Sequence, residues 1–211
     1  MQQNFLQILM RAMVLVAVIP IHECAHGLAA SWMGDHTARD LGRTTLNPLA
    51  HLDPIGSLAL VFTGLGWAKP VPVDTRNFRN PKAGMAITAL AGPAANLVLA
   101  LVLVVVIKGL NLAGLLGVGL YLALAIVLQT TVHLAVFNMI PIPPLDGSRL
   151  LTALLPDRLY YALMRYERVI MAVLLLALFT GLLDLPLGGI TGAILWGLDK
   201  LTFFLGTIWA P

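Results

Sequence analysis

Apolar residues in this chain fall into long runs with almost no charge inside them, and the runs dictate the expected architecture. The first extends from Met13 to Trp32, the second from Met85 to Ile107, the third from about Leu115 to Ile140 and the fourth from Val169 to Leu183. A helix rising 1.5 Å per residue needs about 20 apolar residues to cross a hydrocarbon layer roughly 30 Å thick, so these runs predict transmembrane helices. A fifth run, Leu187 to Trp209, is weaker because it carries Asp199, Lys200 and five glycines. It predicts a tilted or partly interfacial helix. Between the first two runs, Ile55 to Ala68 is too short and too glycine-rich to span, and reads as a re-entrant or interfacial segment. In the following stretch, Lys69 to Lys82, Pro70 and Pro72 forbid helix and predict an edge strand or polyproline geometry. The expected fold is an all-α polytopic membrane protein of about five transmembrane helices, with a small extended or β element and a re-entrant segment between the first two. No internal repeat or linker divides it. Residues 1–211 read as a single membrane-embedded domain, with 33–84 a re-entrant loop bearing short strands and 141–168 a second loop.

Composition sharpens the class. The chain is 59% hydrophobic and 11% charged, against about 45–50% and about 25% in an average globular protein, and its mean hydropathy is +0.89. One cysteine excludes a disulfide-stapled secreted module, and 13 Lys and Arg offset by 10 Asp and Glu exclude a basic nucleic-acid-binding face. Ten of the 13 basic residues lie in Gly34 to Gly84 and Pro141 to Arg168, leaving Arg11, Lys108 and Lys200 elsewhere. The positive-inside rule then puts both long loops in the cytoplasm and the N-terminus outside, with Lys108 in a tight connection on the outer side. A cleaved signal peptide at residues 1–31 fits less well, because no basic cluster precedes the apolar run and three polar residues interrupt it.

Those interruptions carry the chemistry. His22-Glu23-Cys24-Ala25-His26 sets two imidazoles at i, i+4, one turn apart on one helix face, close enough to share a metal ion. Glu23, rotated about 100°, is positioned to act on a water at that ion. Three ionisable groups in an apolar span cost several kcal/mol, about 2.5–3.5 each on insertion scales, so they require a compensating partner such as a metal. Cys24 points away from the shared face and reads as a small buried thiol. Two imidazoles are short of the three protein ligands usual at a catalytic zinc. His36, His51, His133, Asp40, Asp53 and Asp146 are the available donors. The first and third spans run in the same direction, so Asp146, just past the third, meets the same membrane face as His26, which lies roughly 10 Å inside it. Pro141, Pro143 and Pro144 stop the helix, and Gly147 permits a tight turn that lets the carboxylate project back. An N-cap of the next helix is an equally good reading of Asp146.

Taken together, His22-Glu-Cys-Ala-His26 and Asn138-x-x-Pro-x-Pro-Pro-Leu-Asp146-Gly147 resemble the site-2 protease family of intramembrane zinc metalloproteases, in its short prokaryotic form. Leu46-Asn-Pro-Leu-Ala-His51-Leu-Asp53-Pro-Ile-Gly56, Gly66-Trp-Ala-Lys-Pro-Val-Pro-Val73 and Ala91-Gly92-Pro93-Ala-Ala-Asn96 extend the resemblance over residues 20 to 150. It implies that His22, His26 and Asp146 bind one zinc per chain, that Glu23 is the catalytic base and that Asn138 holds the substrate or the transition state. It also implies a single-pass transmembrane protein as substrate and a prokaryotic cell membrane as location. The short Lys108 to Gly114 connection leaves no room for the family's PDZ insertions, and no nucleotide-sensing domain is expected after the fourth span.

A helical substrate must unwind before a peptide bond reaches such a site. Val71 to Val73 is the segment expected to capture it by strand addition, with a structural hairpin the alternative. Asn96 either faces the cleft or packs helices through small neighbours. Tyr160, Tyr161, Trp196 and Trp209 read as interfacial anchors. The competing function is a metal transporter or metal sensor, which would spread its ligands along a path.

Overall fold

The computed structural model describes residue 8 and residues 12–63 and 66–206, apart from the side chains of residues 63, 152, 157, 160 and 161. The expected anchors Tyr160, Tyr161 and Trp209 therefore lie outside the described side chains, and Trp196 is exposed on its helix. Nine helices follow in order among the described residues: α1 (Ile19–Met33, continuing a π-helical stretch Val14–Val18), α2 (Thr37–Asp40), α3 (Pro54–Thr63), α4 (Pro81–Leu112), α5 (Val118–Asn138), α6 (Asp146–Leu154), α7 (Asp157–Met164), α8 (Glu167–Phe179) and α9 (Asp184–Leu201). Among the described residues, three stretches are long and apolar enough to cross a membrane alone: Val14–Met33, Pro81–Leu112 and Val118–Asn138.

The expectation of about five spans is not confirmed among the described residues. The fourth and fifth runs become α8 and α9, which bend by 79° against each other and amount to one further span at most. Gly181 between them takes φ of +72°, a left-handed turn that ends α8 at Phe179, short of the Leu183 at which the fourth run was expected to end. The expected place of Lys108 is corrected. Far from a loop, it lies inside α4, 2% exposed, with its ammonium 2.9 Å from Asp199 Oδ1 and donating to the carbonyls of Asp199 and Thr202. That buried pair explains how α9 tolerates Asp199, since each charge supplies the other's partner. It sits beside the main apolar core, where Ala100, Val104 and Ile107 of α4 meet Leu128, Val132 and Val136 of α5 and Leu187 of α9.

α4 is the central element. Asn80 caps it by accepting from the Ala83 N–H, Pro81 starts it, and α1, α5 and α6 all pack on it. α1 stops at Gly34, whose φ of +114° closes the helix with its N–H on the Ala30 and Ser31 carbonyls. A Cβ at Gly34 would also press on the Asn77 carbonyl, so the glycine lets the returning chain approach.

No strand forms among the described residues of 33–84; the expected β element reduces to one isolated antiparallel bridge, Leu52 to Ala68. Pro70 and Pro72 remove two donors. Arg43 takes the neighbouring acceptors, with Nη2 donating to the Lys69 carbonyl (2.7 Å) and the Pro70 carbonyl (3.3 Å). The stretch expected to be re-entrant contains α3, a ten-residue helix. Downstream, the fully buried Asp35 accepts from the Asp74 N–H (2.7 Å), the Asn77 amide (2.9 Å) and both donors of Thr37. Residues 69–77 are thus fastened to the end of α1 by two buried charged side chains.

Burial opposes the charge on Asp35, but the hydrogen bonds from Asn77, Thr37 and Asp74 outweigh it and hold its pKa below the usual carboxylate value. A carboxylate depressed in the folded state contributes stability above its unfolded pKa of about 3.9 and loses it as pH falls through the folded value. Hydrogen exchange in residues 69–77 should accelerate as pH drops below about 4, after correction for the intrinsic rate, and Asp35→Ala should produce the same loosening at neutral pH. Unchanged protection in Asp35→Ala would show that the loop is held elsewhere.

Candidate metal centre

The i, i+4 spacing on α1 brings His22 and His26, 5% and 8% exposed, together with their Nε2 atoms 3.0 Å apart. Asp146 enters from the other side of the fold, 124 positions later in the chain. Its Oδ2 lies 3.1 Å from His22 Nε2 and 3.2 Å from His26 Nε2. The three atoms form a nearly equilateral triangle. Tetrahedral zinc with bonds of about 2.0–2.1 Å has ligand-to-ligand edges of about 3.3 Å, so these donors fit three corners of such a site and leave the fourth open. They are the group of three His, Cys, Asp or Glu side chains among the described residues that could hold a metal.

Local structure explains how Asp146 arrives there. The chain turns after α5 through Pro141 to Leu145, and Asp146 is the first residue of α6. The N-cap reading of Asp146 is overturned: Leu145 occupies that position, and the carboxylate goes to the imidazoles instead. Gly147 acts by close approach, not by a left-handed turn. It is absent from the glycines with positive φ, and a Cβ there would collide with the carbonyls of Met139 and Ile140. Burial works against ionisation of Asp146, yet the two imidazoles that face its Oδ2 hold it well below the usual carboxylate range.

α4 forms the back wall. Thr88, Gly92 and Asn96 recur every four residues, a single stripe facing the two imidazoles. His26 Nδ1 lies 2.7 Å from the Thr88 carbonyl, to which its N–H donates. Asn96, fully buried, has Nδ2 3.1 Å from His22 Nδ1. Gly92 lies between them, and a Cβ there would strike His26 Nε2 and the His22 ring. The missing side chain of Gly92 is what admits the imidazoles. Thr88 carried no signal, because it acts through its backbone carbonyl.

Glu23 leaves the pair's shared face and accepts from the Val71 N–H at 3.0 Å. The Arg43-held loop thereby reaches the candidate base directly. Val71 is accordingly tied to Glu23, whereas the N–H of Val73 and the carbonyls of Val71 and Val73 make no hydrogen bond among the described residues. Asn138 ends α5, half-buried, its amide donating to the Leu134 carbonyl at 3.1 Å. Cys24 is a buried free thiol. The other donors considered lie outside the triangle: His51 is buried with Nε2 on the Thr45 carbonyl, Asp53 accepts from the Gly56 N–H, His133 faces Thr191, Asp40 pairs with Arg39, and His36 precedes α2.

Fold and site define a class: a helical protein with helices able to span a membrane and three side chains placed to hold a metal, with a carboxylate on the same helix as two of them. Comparison with known proteins agrees. The chain is 34% identical over 207 residues to "Putative zinc metalloprotease YwhC" of Bacillus subtilis (strain 168), covering 93% of this chain and 91% of that protein. Two proteins named "Putative zinc metalloprotease Rip2" are also similar. That of Mycolicibacterium smegmatis is 32% identical over 139 residues, covering 60% of this chain and 50% of the relative; that of Mycobacterium tuberculosis (H37Rv) is 30% identical over 185 residues, covering 85% and 69%. No family model matches the chain, and no solved structure does. The chain belongs to the site-2 protease family, and it is a zinc-metalloprotease homologue with helices able to span a membrane.

Proposed function

We propose that this chain is an intramembrane zinc endopeptidase that hydrolyses a peptide bond in or near the transmembrane segment of a single-pass membrane protein, close to the cytoplasmic face. The observation that carries this reading is the triangle of His22, His26 and Asp146 with Glu23 on the same helix. His22, His26 and Asp146 hold one zinc per chain, which when bound supplies Lewis acidity toward a water and the scissile carbonyl. Glu23 takes the proton of the attacking water and returns it to the leaving amine. Asn138 is the candidate donor to the substrate or to the charge that develops on its carbonyl. Concentration of the donors at one point, with a carboxylate beside them, favours catalysis over the transport reading, which calls for ligands along a path.

The orientation proposed for a prokaryotic cell membrane has the N-terminus outside and residues 34–84 and 141–168 in the cytoplasm, on the strength of their ten basic residues. Burial of the site then requires a substrate helix to leave its i to i−4 ladder, and in lipid its freed groups need partners at once. The open edge at Val71 and Val73 offers them. Asn96 is not part of this proposed substrate edge, since its amide is turned to His22.

The unwinding step predicts a dependence on helix-breaking residues in the substrate. Replacing a glycine near the cut by leucine should raise the unwinding cost by nearly 1 kcal/mol, and replacing a proline by about 3. Turnover should fall about fivefold in the first case and about 150-fold in the second. An all-leucine span cut as fast as its glycine- or proline-containing parent would overturn the role given to unwinding.

A further inference from the structure

Asn96 is fully buried in α4 and touches His22 with one end of its amide, Nδ2 lying 3.1 Å from His22 Nδ1. At the other end, Oδ1 is buried with no hydrogen-bond partner among the described residues. With the amide in that sense, Nδ2 donates to Nδ1, so the ring proton of His22 must sit on Nε2. That is the atom which faces Asp146 and His26 and would have to offer its lone pair to a metal. The neighbouring histidine has the opposite arrangement: the Thr88 carbonyl can only accept, so it draws the proton of His26 onto Nδ1 and leaves Nε2 bare. Oxygen and nitrogen of an amide are interchanged by a half-turn that moves no other atom, and their assignment rests on the surrounding network.

Resting on the zinc-site reading above, we propose that Asn96 presents Oδ1, not Nδ2, to His22, and is a positioning residue that accepts the Nδ1 proton and fixes the metal-binding tautomer. The half-turn gives the orphaned oxygen a donor and gives His22 Nε2 a free lone pair, with no backbone change. α4 then treats both imidazoles alike. One stripe supplies the Thr88 carbonyl for His26, the Asn96 carbonyl oxygen for His22, and the gap at Gly92 that lets both rings approach. Partners of this kind fix the ring orientation of metal-ligating histidines and raise their basicity.

The test is zinc affinity, measured by chelator competition on the detergent-purified chain, with Co(II) absorption as a report on ligand geometry. Asn96→Leu keeps the shape but removes the acceptor, and should weaken zinc about 10- to 100-fold. Asn96→Asp, which can only accept, should bind zinc at least as tightly as the wild type and give its Co(II) spectrum. A purely structural role would not let Asp rescue what Leu loses. If Asn96→Leu fails to fold, the Asp variant decides alone. Zinc affinity in Asn96→Asp at least tenfold below wild type, or unaltered affinity in a folded Asn96→Leu, would overturn the proposal. If neither variant nor wild type binds zinc, the metal-site reading itself falls, a result distinct from these.

Discussion

Changing Glu23 to glutamine should lower turnover of a transmembrane substrate by about 10²- to 10⁴-fold, the range typical of a lost general acid or base, while zinc content stays at the wild-type level. Glutamine matches glutamate in shape and keeps one carbonyl oxygen, so it still accepts from the Val71 N–H and the loop over the site remains fastened. What it loses is the ability to take a proton. Glu23 also stands outside the triangle of donors, which leaves metal binding untouched. Parallel measurement of turnover and of zinc by elemental analysis separates the two roles. Full activity in Glu23→Gln would remove this residue from the chemistry, and loss of zinc together with activity would make it a ligand.

The second large effect is expected at Asp146. Asp146→Ala leaves only two imidazoles, one short of the usual three-ligand protein set of a catalytic zinc. It also removes the sole negative charge of the triangle. Zinc affinity should fall by more than the 10- to 100-fold typical of losing an outer partner, and activity should vanish with it. His22→Ala and His26→Ala should behave alike. Asp146 is at the start of a short helix and partly exposed, so its replacement opens no large cavity in the core. Wild-type zinc occupancy in a folded Asp146→Ala would remove the residue from the site.

The parts of the site legible in the sequence are those that use side-chain chemistry at a fixed helical spacing. His22 and His26 follow from i, i+4 periodicity; for Asp146 the direction of the spans and the prolines that end α5 left an N-cap equally good, and the family resemblance made the choice. What stayed hidden acts through backbone or through absence. Thr88 contributes a carbonyl, and Gly92 contributes space, neither of which leaves a mark distinct from ordinary helix packing. The fold shows the same division. Apolar runs located α1, α4 and α5, but the second run ended at Ile107 because of the charge of Lys108. Its partner, Asp199, lies 91 positions further on, and only tertiary structure makes that charge a core residue. The segment around Val71 was expected as a strand because proline excludes helix. It is not one: Arg43 takes the Lys69 and Pro70 carbonyls and Glu23 the Val71 N–H, and only the Val71 carbonyl and the two backbone groups of Val73 are left open among the described residues.

The most direct single measurement reconstitutes the zinc-loaded chain in lipid vesicles with a single-pass transmembrane substrate, and follows peptide products by mass spectrometry and zinc flux across the bilayer in the same sample. An intramembrane endopeptidase yields two fragments separated at a bond in or beside the transmembrane segment, stops yielding them on zinc chelation, and moves no zinc. Intact substrates across a panel of such proteins, accompanied by zinc movement that depends on His22, His26 and Asp146, would contradict the protease assignment and identify the centre as a transport site.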